Sequence, residues 1–114
     1  MVKIYHNNRC SKSRGACYTL EENGIKTEII EYLKTPPTQA EIKDILEKLD
    51  MKAFDIVRKN EELYKSNFAG TKFSESEWIK ILSENPILIE RPIIVHGNKA
   101  VIGRPPERVL ELFK

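Results

Sequence analysis

The residues able to do chemistry crowd into one stretch, Tyr5 to Ala16, which reads Tyr-His-Asn-Asn-Arg-Cys-Ser-Lys-Ser-Arg-Gly-Ala. Arg9, Lys12 and Arg14 surround Cys10 with positive charge, and Ser11 and Ser13 supply hydroxyls that could donate to the sulfur or to a bound anion. Nearby cations and the unpaired N–H groups of a helix start both favour a thiolate over a thiol. Such a loop suits thiol chemistry on an anionic substrate. A free cysteine also serves often as a small core hydrophobe. Cys17, beside Ala16 and Leu20 on an apolar helix face, reads that way. The polar neighbours of Cys10 argue against its burial in a core.

The flanking elements are what must position that loop. Val2-Lys3-Ile4-Tyr5 alternates apolar and polar residues as a half-buried strand does. Helical spacing then carries Ala16, Cys17 and Leu20 to Gly24, a C-terminal cap position. Cys10 therefore lies between a strand and the first turn of a helix. Asn7 and Asn8 read as loop residues that adapt to turn conformations.

Thr27 to Leu33 is rich in β-branched and aromatic residues and predicts a second strand, parallel to the first through a right-handed crossover. Thr38-Gln39-Ala40-Glu41 is a capping box, followed by Ile42, Ile45, Leu46 and Leu49 at helical spacing. Phe54 and Val57 suggest a short helical turn or two ending at Arg58-Lys59-Asn60, and Leu63, Tyr64 and Phe68 a further short helix. Ser74-Glu75-Ser76-Glu77 opens another helix, with Trp78, Ile81 and Leu82 on one face, stopped at Asn85-Pro86. Pro92 to Val95 and Ala100 to Ile102 flank Gly97-Asn98, a strong hairpin signal. Pro105-Pro106 then allow a final helix with Val109, Leu110 and Phe113 as its apolar face.

This order predicts an α/β, thioredoxin-like fold. Its mixed four-stranded sheet would combine a parallel pair with an antiparallel hairpin. Helices would lie on both faces, with a helical insertion between strands 2 and 3. In such a layout the turn before the third strand, Ile89-Glu90-Arg91-Pro92, faces Cys10. Pro92 is open to two readings: a proline tolerated at a strand start, or the second residue of a cis peptide.

At 114 residues, with 40% hydrophobic and 32% charged residues, the chain is expected to form one domain, 1–114, with a single core. A net charge of +2 gives no reason to expect nucleic acid or an acidic membrane as a partner. No apolar run is long enough to span a bilayer, and no signal-peptide core precedes the first strand. Two cysteines seven residues apart on one helix have Cα atoms about 10 Å apart at about 1.5 Å rise per residue. A disulfide needs less than about 7 Å. A cytoplasmic protein is therefore expected. His6, His96 and the two cysteines lack zinc-ligand spacing, so no metal and no bound cofactor is expected.

Along nearly its whole length the chain resembles the glutaredoxin-linked arsenate reductase family. The resemblance is carried by Tyr5-His6-Asn7 with Cys10-Ser11-Lys12-Ser13-Arg14, by Tyr32-Leu33-Lys34-Thr35-Pro36-Pro37-Thr38, and by Val57-Arg58-Lys59-Asn60. It continues in Asn85 to Pro92 and in Gly103-Arg104-Pro105-Pro106. It implies a catalytic Cys10, with Arg58, Arg91 and Arg104 binding arsenate or a similar oxyanion. His6 matches a histidine near the sulfur that favours the thiolate, and Ser13 and Arg14 match residues of the active loop. Pro92 falls on the cis-proline position. Taken singly, the arginines could be a helix-end, a strand-edge and a rim charge. Guanidinium forks suit tetrahedral oxyanions.

The resemblance further implies glutathione as cosubstrate and glutaredoxin as protein partner; a monomer is expected. One alternative keeps the chemistry and changes the substrate: a glutathione-dependent thiol reductase acting on another anion. A second is a non-catalytic regulator of the related Spx type. Its redox switch resembles Cys-x-x-Cys, and Ser13 in the second position argues against it. Longer family members continue beyond the position of Lys114, which removes no motif and would change how a partner docks.

Overall fold

A computed structural model of the protein describes residues 2–7 and 9–113. Asn8 and Lys114, each given a reading above, lie outside the described residues. The chain divides into two compact units, Met1–Thr35 with Arg91–Lys114, and Pro36–Glu90.

The first unit carries the sheet. Its elements are β1 (Val2–His6), α1 (Ser11–Glu22), β2 (Thr27–Glu31), β3 (Ile93–His96), β4 (Lys99–Ile102) and a 3-10 helix at Pro106–Phe113. The strand order is β2-β1-β3-β4. β1 and β2 are parallel, with His6 opposite Glu31. β3 runs antiparallel to both β1 and β4. This is the thioredoxin-like, mixed sheet expected from the sequence. The side-chain period of two places Val2, Ile4 and His6 on one face of β1. Val2 and Ile4 join Ala16 and Leu20 of α1, Ile94 of β3, and Val109 and Leu112 in one buried cluster. Fully burying a side chain such as Leu20 contributes about 1.5–3 kcal/mol.

Two elements differ from expectation, each for a local reason. β2 stops at Glu31, whose carbonyl accepts from the N–H groups of Lys34 and Thr35 and so turns the chain. The C-terminal helix is 3-10 rather than α. Its period of three aligns Pro106, Val109 and Leu112, which leaves Phe113 39% exposed instead of on the core face. The Arg91–Pro92 peptide is cis, as the cis-proline reading of Pro92 expected, and Arg104–Pro105, for which the sequence raised no such expectation, is cis as well. The hairpin turn is as expected, with Gly97 at φ +63° in its first position.

The second unit is helical: α2 (Gln39–Leu49), α3 (Glu62–Asn67), α4 (Glu75–Glu84) and 3-10 turns at Ala53–Ile56 and Pro86–Leu88. Both predicted capping boxes are formed. Thr38 accepts from the Glu41 N–H and Ser74 from the Glu77 N–H, with each glutamate reaching back to its cap. Ile42, Ile45 and Leu46 of α2 and Trp78 and Leu82 of α4 are buried. Phe54, Tyr64, Phe68 and Phe73 gather round Trp78 with ring centroids 5.0–6.3 Å away. Among the described residues no helix is long and apolar enough to cross a membrane.

Candidate functional site

Strand direction decides which residues meet. β1 and β2 run parallel, so the loops after His6 and after Glu31 leave the same end of the sheet. β3 runs the other way, so Arg91 and Pro92 enter at that end. The β3–β4 ladder, Ile93 opposite Ile102, continues into a bond from the Gly103 N–H to the Pro92 carbonyl at 2.9 Å. Arg91 and Arg104 thereby flank one ladder end. Gly103 is required there: an added Cβ would lie 2.9 Å from Ile94 Cδ1 and 3.1 Å from both Pro92 Cγ and Val109 Cγ1.

Cys10 is the N-cap residue of α1, in extended conformation. Its N–H donates to the Asn7 carbonyl and its own carbonyl accepts from the Arg14 N–H, both at 3.0 Å, which fixes the loop at either side of the sulfur. The thiol is half-buried. Burial pushes its pKa up, and the groups facing it more than reverse that. The backbone N–H of Ser13, the Arg91 guanidinium and the backbone N–H of Lys12 together hold the thiol below its ordinary value. The first turn of α1 and one arginine from before β3 thus stabilise a thiolate, as the sequence implied. The cation that acts on the sulfur is Arg91, not the Arg9, Lys12 and Arg14 side chains that the sequence reading placed around it.

Ser13 works differently from expectation. Its hydroxyl is fully buried and committed to other partners: His6 Nδ1 at 2.7 Å and the Asn7 N–H at 3.0 Å. Its backbone N–H, not its hydroxyl, faces the sulfur. His6 sits beneath the loop because the β period puts it on the α1 face of the sheet. Burial and, secondarily, the nearby Arg14 lower its pKa, outweighing Glu31, which acts in the opposite sense. The imidazole is therefore neutral near pH 7. An unprotonated Nδ1 accepts from the nearer Ser13 hydroxyl with its single lone pair, and the Cys17 sulfur lies 3.6 Å from the same atom. His6 is built as a neutral brace under the loop, and Arg91 supplies the charge at the sulfur.

Cys17 packs against the core cluster, as its helix face predicted, and burial raises its pKa, with Glu21 adding to the rise. Its contact with His6 was not legible: only the pairing of strand register with helix phase brings residues eleven apart together. Arg14 is exposed on α1. Asn7, read as a loop residue, closes the turn itself, its Oδ1 accepting from the Arg9 N–H at 3.0 Å.

Arg58 belongs to the second unit. Its Nη1 donates to the Ile87 carbonyl at 3.1 Å, its Nη2 lies 3.1 Å from Glu61 Oε2, and its N–H donates to the Leu88 carbonyl. These bonds, with a bridge between Val57 and Ile89, hold it to the 87–89 segment of its own unit. All three arginines are half-buried rather than exposed.

The chain matches the sequence model of the ArsC family over residues 5–112. It is 50% identical over 113 residues to Uncharacterized protein YfgD of Escherichia coli (strain K12), covering 97% of this chain and 95% of that one. It is 45% identical over 114 residues to the arsenate reductase of Haemophilus influenzae, covering 98% of each. Among solved structures, arsenate reductase from Vibrio cholerae superposes with a TM-score of 0.92 at 43% identity, over 96% of this chain and 95% of that one.

Proposed function

The chain belongs to the ArsC family, and from that premise we propose that it is an arsenate reductase with Cys10 as its nucleophile. The observation that carries the reading is the Cys10 environment, where two helix N–H groups and the Arg91 guanidinium outweigh the burial of the sulfur. Those groups favour a thiolate, and the same donors favour an oxyanion brought up to it. Arg91 and Arg104, at one end of the β3–β4 ladder, are the proposed oxyanion ligands. Arg58 is added to them on the family resemblance.

The Cys10 thiolate attacks arsenic, a sulfur–arsenic bond forms, and one oxygen leaves as hydroxide or, with a proton, as water. Arsenic is still pentavalent in that adduct. A second thiolate then attacks the Cys10 sulfur. The sulfur–sulfur bond forms, the sulfur–arsenic bond breaks, and its electron pair leaves with arsenic as arsenite. Each sulfur is oxidised by one electron and arsenic is reduced by two. Positioning and charge neutralisation lower the first barrier, and the covalent adduct divides the reduction into easier steps.

Cys17 is poorly suited to be the second thiol. It lies two helical turns from Cys10, half-buried, with a raised pKa and a contact with His6. An external thiol is needed, and glutathione is proposed, with glutaredoxin removing it from the mixed disulfide on Cys10. Purified protein supplied with arsenate, glutathione and glutaredoxin should release arsenite, and Cys10→Ser should release none. Cys17→Ser should remain active. Arsenite release by Cys10→Ser equal to that of the parent overturns the assignment.

A further inference from the structure

We propose that Asn7 is the positioning residue of the Cys10 loop and that it has to be a neutral acceptor: its side-chain amide closes the loop that presents the sulfur without setting a negative charge beside it. The inference rests on the reading of Cys10 as the nucleophile and goes beyond it, to a residue that acts through other groups.

Asn7 follows the last residue of β1 and is bonded to three residues around the sulfur. Its carbonyl accepts from the Cys10 N–H and its own N–H donates to the Ser13 hydroxyl, both at 3.0 Å. Its side-chain Oδ1 accepts from the Arg9 N–H, also at 3.0 Å. The fully buried Ser13 hydroxyl carries the chain of contacts on to His6 Nδ1 at 2.7 Å. Asn7 is therefore tied to the residue before the sulfur, to the residue that bears it, and to a helical residue whose N–H faces it.

Two of these bonds use backbone atoms, and any residue except proline could make them. The third belongs to the side chain. Asparagine and aspartate both reach the N–H two residues on, and serine and threonine do so more weakly. Loop geometry alone thus does not favour the amide over a carboxylate, whereas charge does. A carboxylate at this place is one hydrogen bond from the Arg9 N–H, and Arg9 is joined to Cys10. Its charge acts on the sulfur over about 10 Å or less, within one ionic screening length. It opposes the thiolate that the Ser13 and Lys12 N–H groups and Arg91 favour, and it repels an incoming oxyanion. Alanine brings no charge and leaves the Arg9 N–H unheld, so the loop loses one of its fixed points.

The test is alkylation of Cys10 by iodoacetamide, followed across pH by mass spectrometry, beside a thermal melt of each full-length variant. Asn7→Asp should melt near the parent, because the loop bond is kept, and Asn7→Ala should melt lower. Both should raise the Cys10 midpoint and slow its alkylation at neutral pH by about threefold or more. Sulfate should protect Cys10 less in Asn7→Asp than in the parent. Asn7→Ser, with its weaker acceptor, should fall between the parent and Asn7→Ala. A parent-like Cys10 midpoint in Asn7→Ala, even with a lowered melt, overturns the positioning role. A parent-like midpoint in Asn7→Asp overturns the need for a neutral side chain. If Asn7→Ala does not fold, a parent-like midpoint in both Asn7→Ser and Asn7→Asp overturns the inference instead. No arsenite is measured, so failure of arsenate as a substrate leaves this inference standing. An ordinary thiol midpoint at Cys10 in the parent removes the nucleophile, and the role of Asn7 with it.

Discussion

Two thiols on one helix are driven in opposite directions by what faces their sulfurs. Cys10 meets the N–H groups of the first turn and a guanidinium, whereas Cys17 meets the core, His6 and the charge of Glu21. Iodoacetamide alkylation, followed by mass spectrometry across pH, should therefore give Cys10 a midpoint below the ordinary thiol value and Cys17 one above it. At neutral pH Cys10 should react faster by at least an order of magnitude. Equal rates there would contradict the site. His6 makes a prediction of opposite kind. Its folded pKa lies below the unfolded value of about 6.5. Between those two values the unfolded chain binds more protons than the folded one, so stability rises with pH through that window. The contribution is complete above about pH 6.5 and is lost as pH falls through the folded value. Urea unfolding between pH 4 and 7 should show this slope in the parent and a shallower one in His6→Gln. At this scale the sequence announced the helix start at Cys10, which is written in consecutive residues, but not the cation facing the sulfur, Arg91, which comes from just before β3. It did not announce the state of His6, which depends on burial by elements distant in the chain.

Elements were legible wherever their signal is local. Both capping boxes and the Gly97-Asn98 turn need only a few neighbouring residues and are present, whereas the alternation read in β1 holds only through Ile4, because Tyr5 on the opposite face is buried as well. The final helix misled because the sequence shows an apolar face without showing its period. Only the 3-10 geometry selects Val109 and Leu112 over Phe113. Gly103 was legible as part of a motif, and its physical role appears only in packing. Three side chains, from β3, the turn before it and the last helix, close on the position its Cβ would occupy. Gly103→Ala must push Ile94, Pro92 or Val109 aside. Overpacking of this kind costs about 1–3 kcal/mol, which a thermal melt should record as a drop of several degrees. The same displacement moves Arg91 and Arg104, so alkylation of Cys10 at neutral pH should slow as well. A melt unchanged from the parent would show that the ladder end yields without cost.

At the scale of the whole molecule, Arg91 and Arg104 belong to the sheet unit and Arg58 to the helical one, so the part each plays toward an anion has to be read from variants taken one at a time. An anion that binds only the folded chain raises its stability by RT ln(1 + [L]/Kd), about 2.7 kcal/mol at a hundredfold excess over Kd. Sulfate is the suitable probe, because it shares arsenate's tetrahedral charge and does not react with Cys10. Sulfate also stabilises folded proteins by exclusion from their surface, so the informative quantity is the gain in melting temperature relative to each variant's own sulfate-free melt. Exclusion acts on parent and variants alike, and site binding does not. Arg91→Ala and Arg104→Ala should lose most of the site-specific gain, since each charge-assisted hydrogen bond contributes about 1.5–3 kcal/mol. Arg58→Ala needs separate treatment, because its guanidinium holds the Ile87 carbonyl and Glu61 within its own unit. Its sulfate-free melt should already fall, by the equivalent of about 1 kcal/mol for the lost contacts. If it also loses the sulfate-dependent gain, it acts on the anion as the family resemblance implies. If it keeps the full gain while Arg91→Ala loses it, Arg58 is a structural pin of the helical unit, and the anion is held from the sheet unit alone. Retention of the gain by all three variants would remove the oxyanion site, and with it the physical support for arsenate as the substrate.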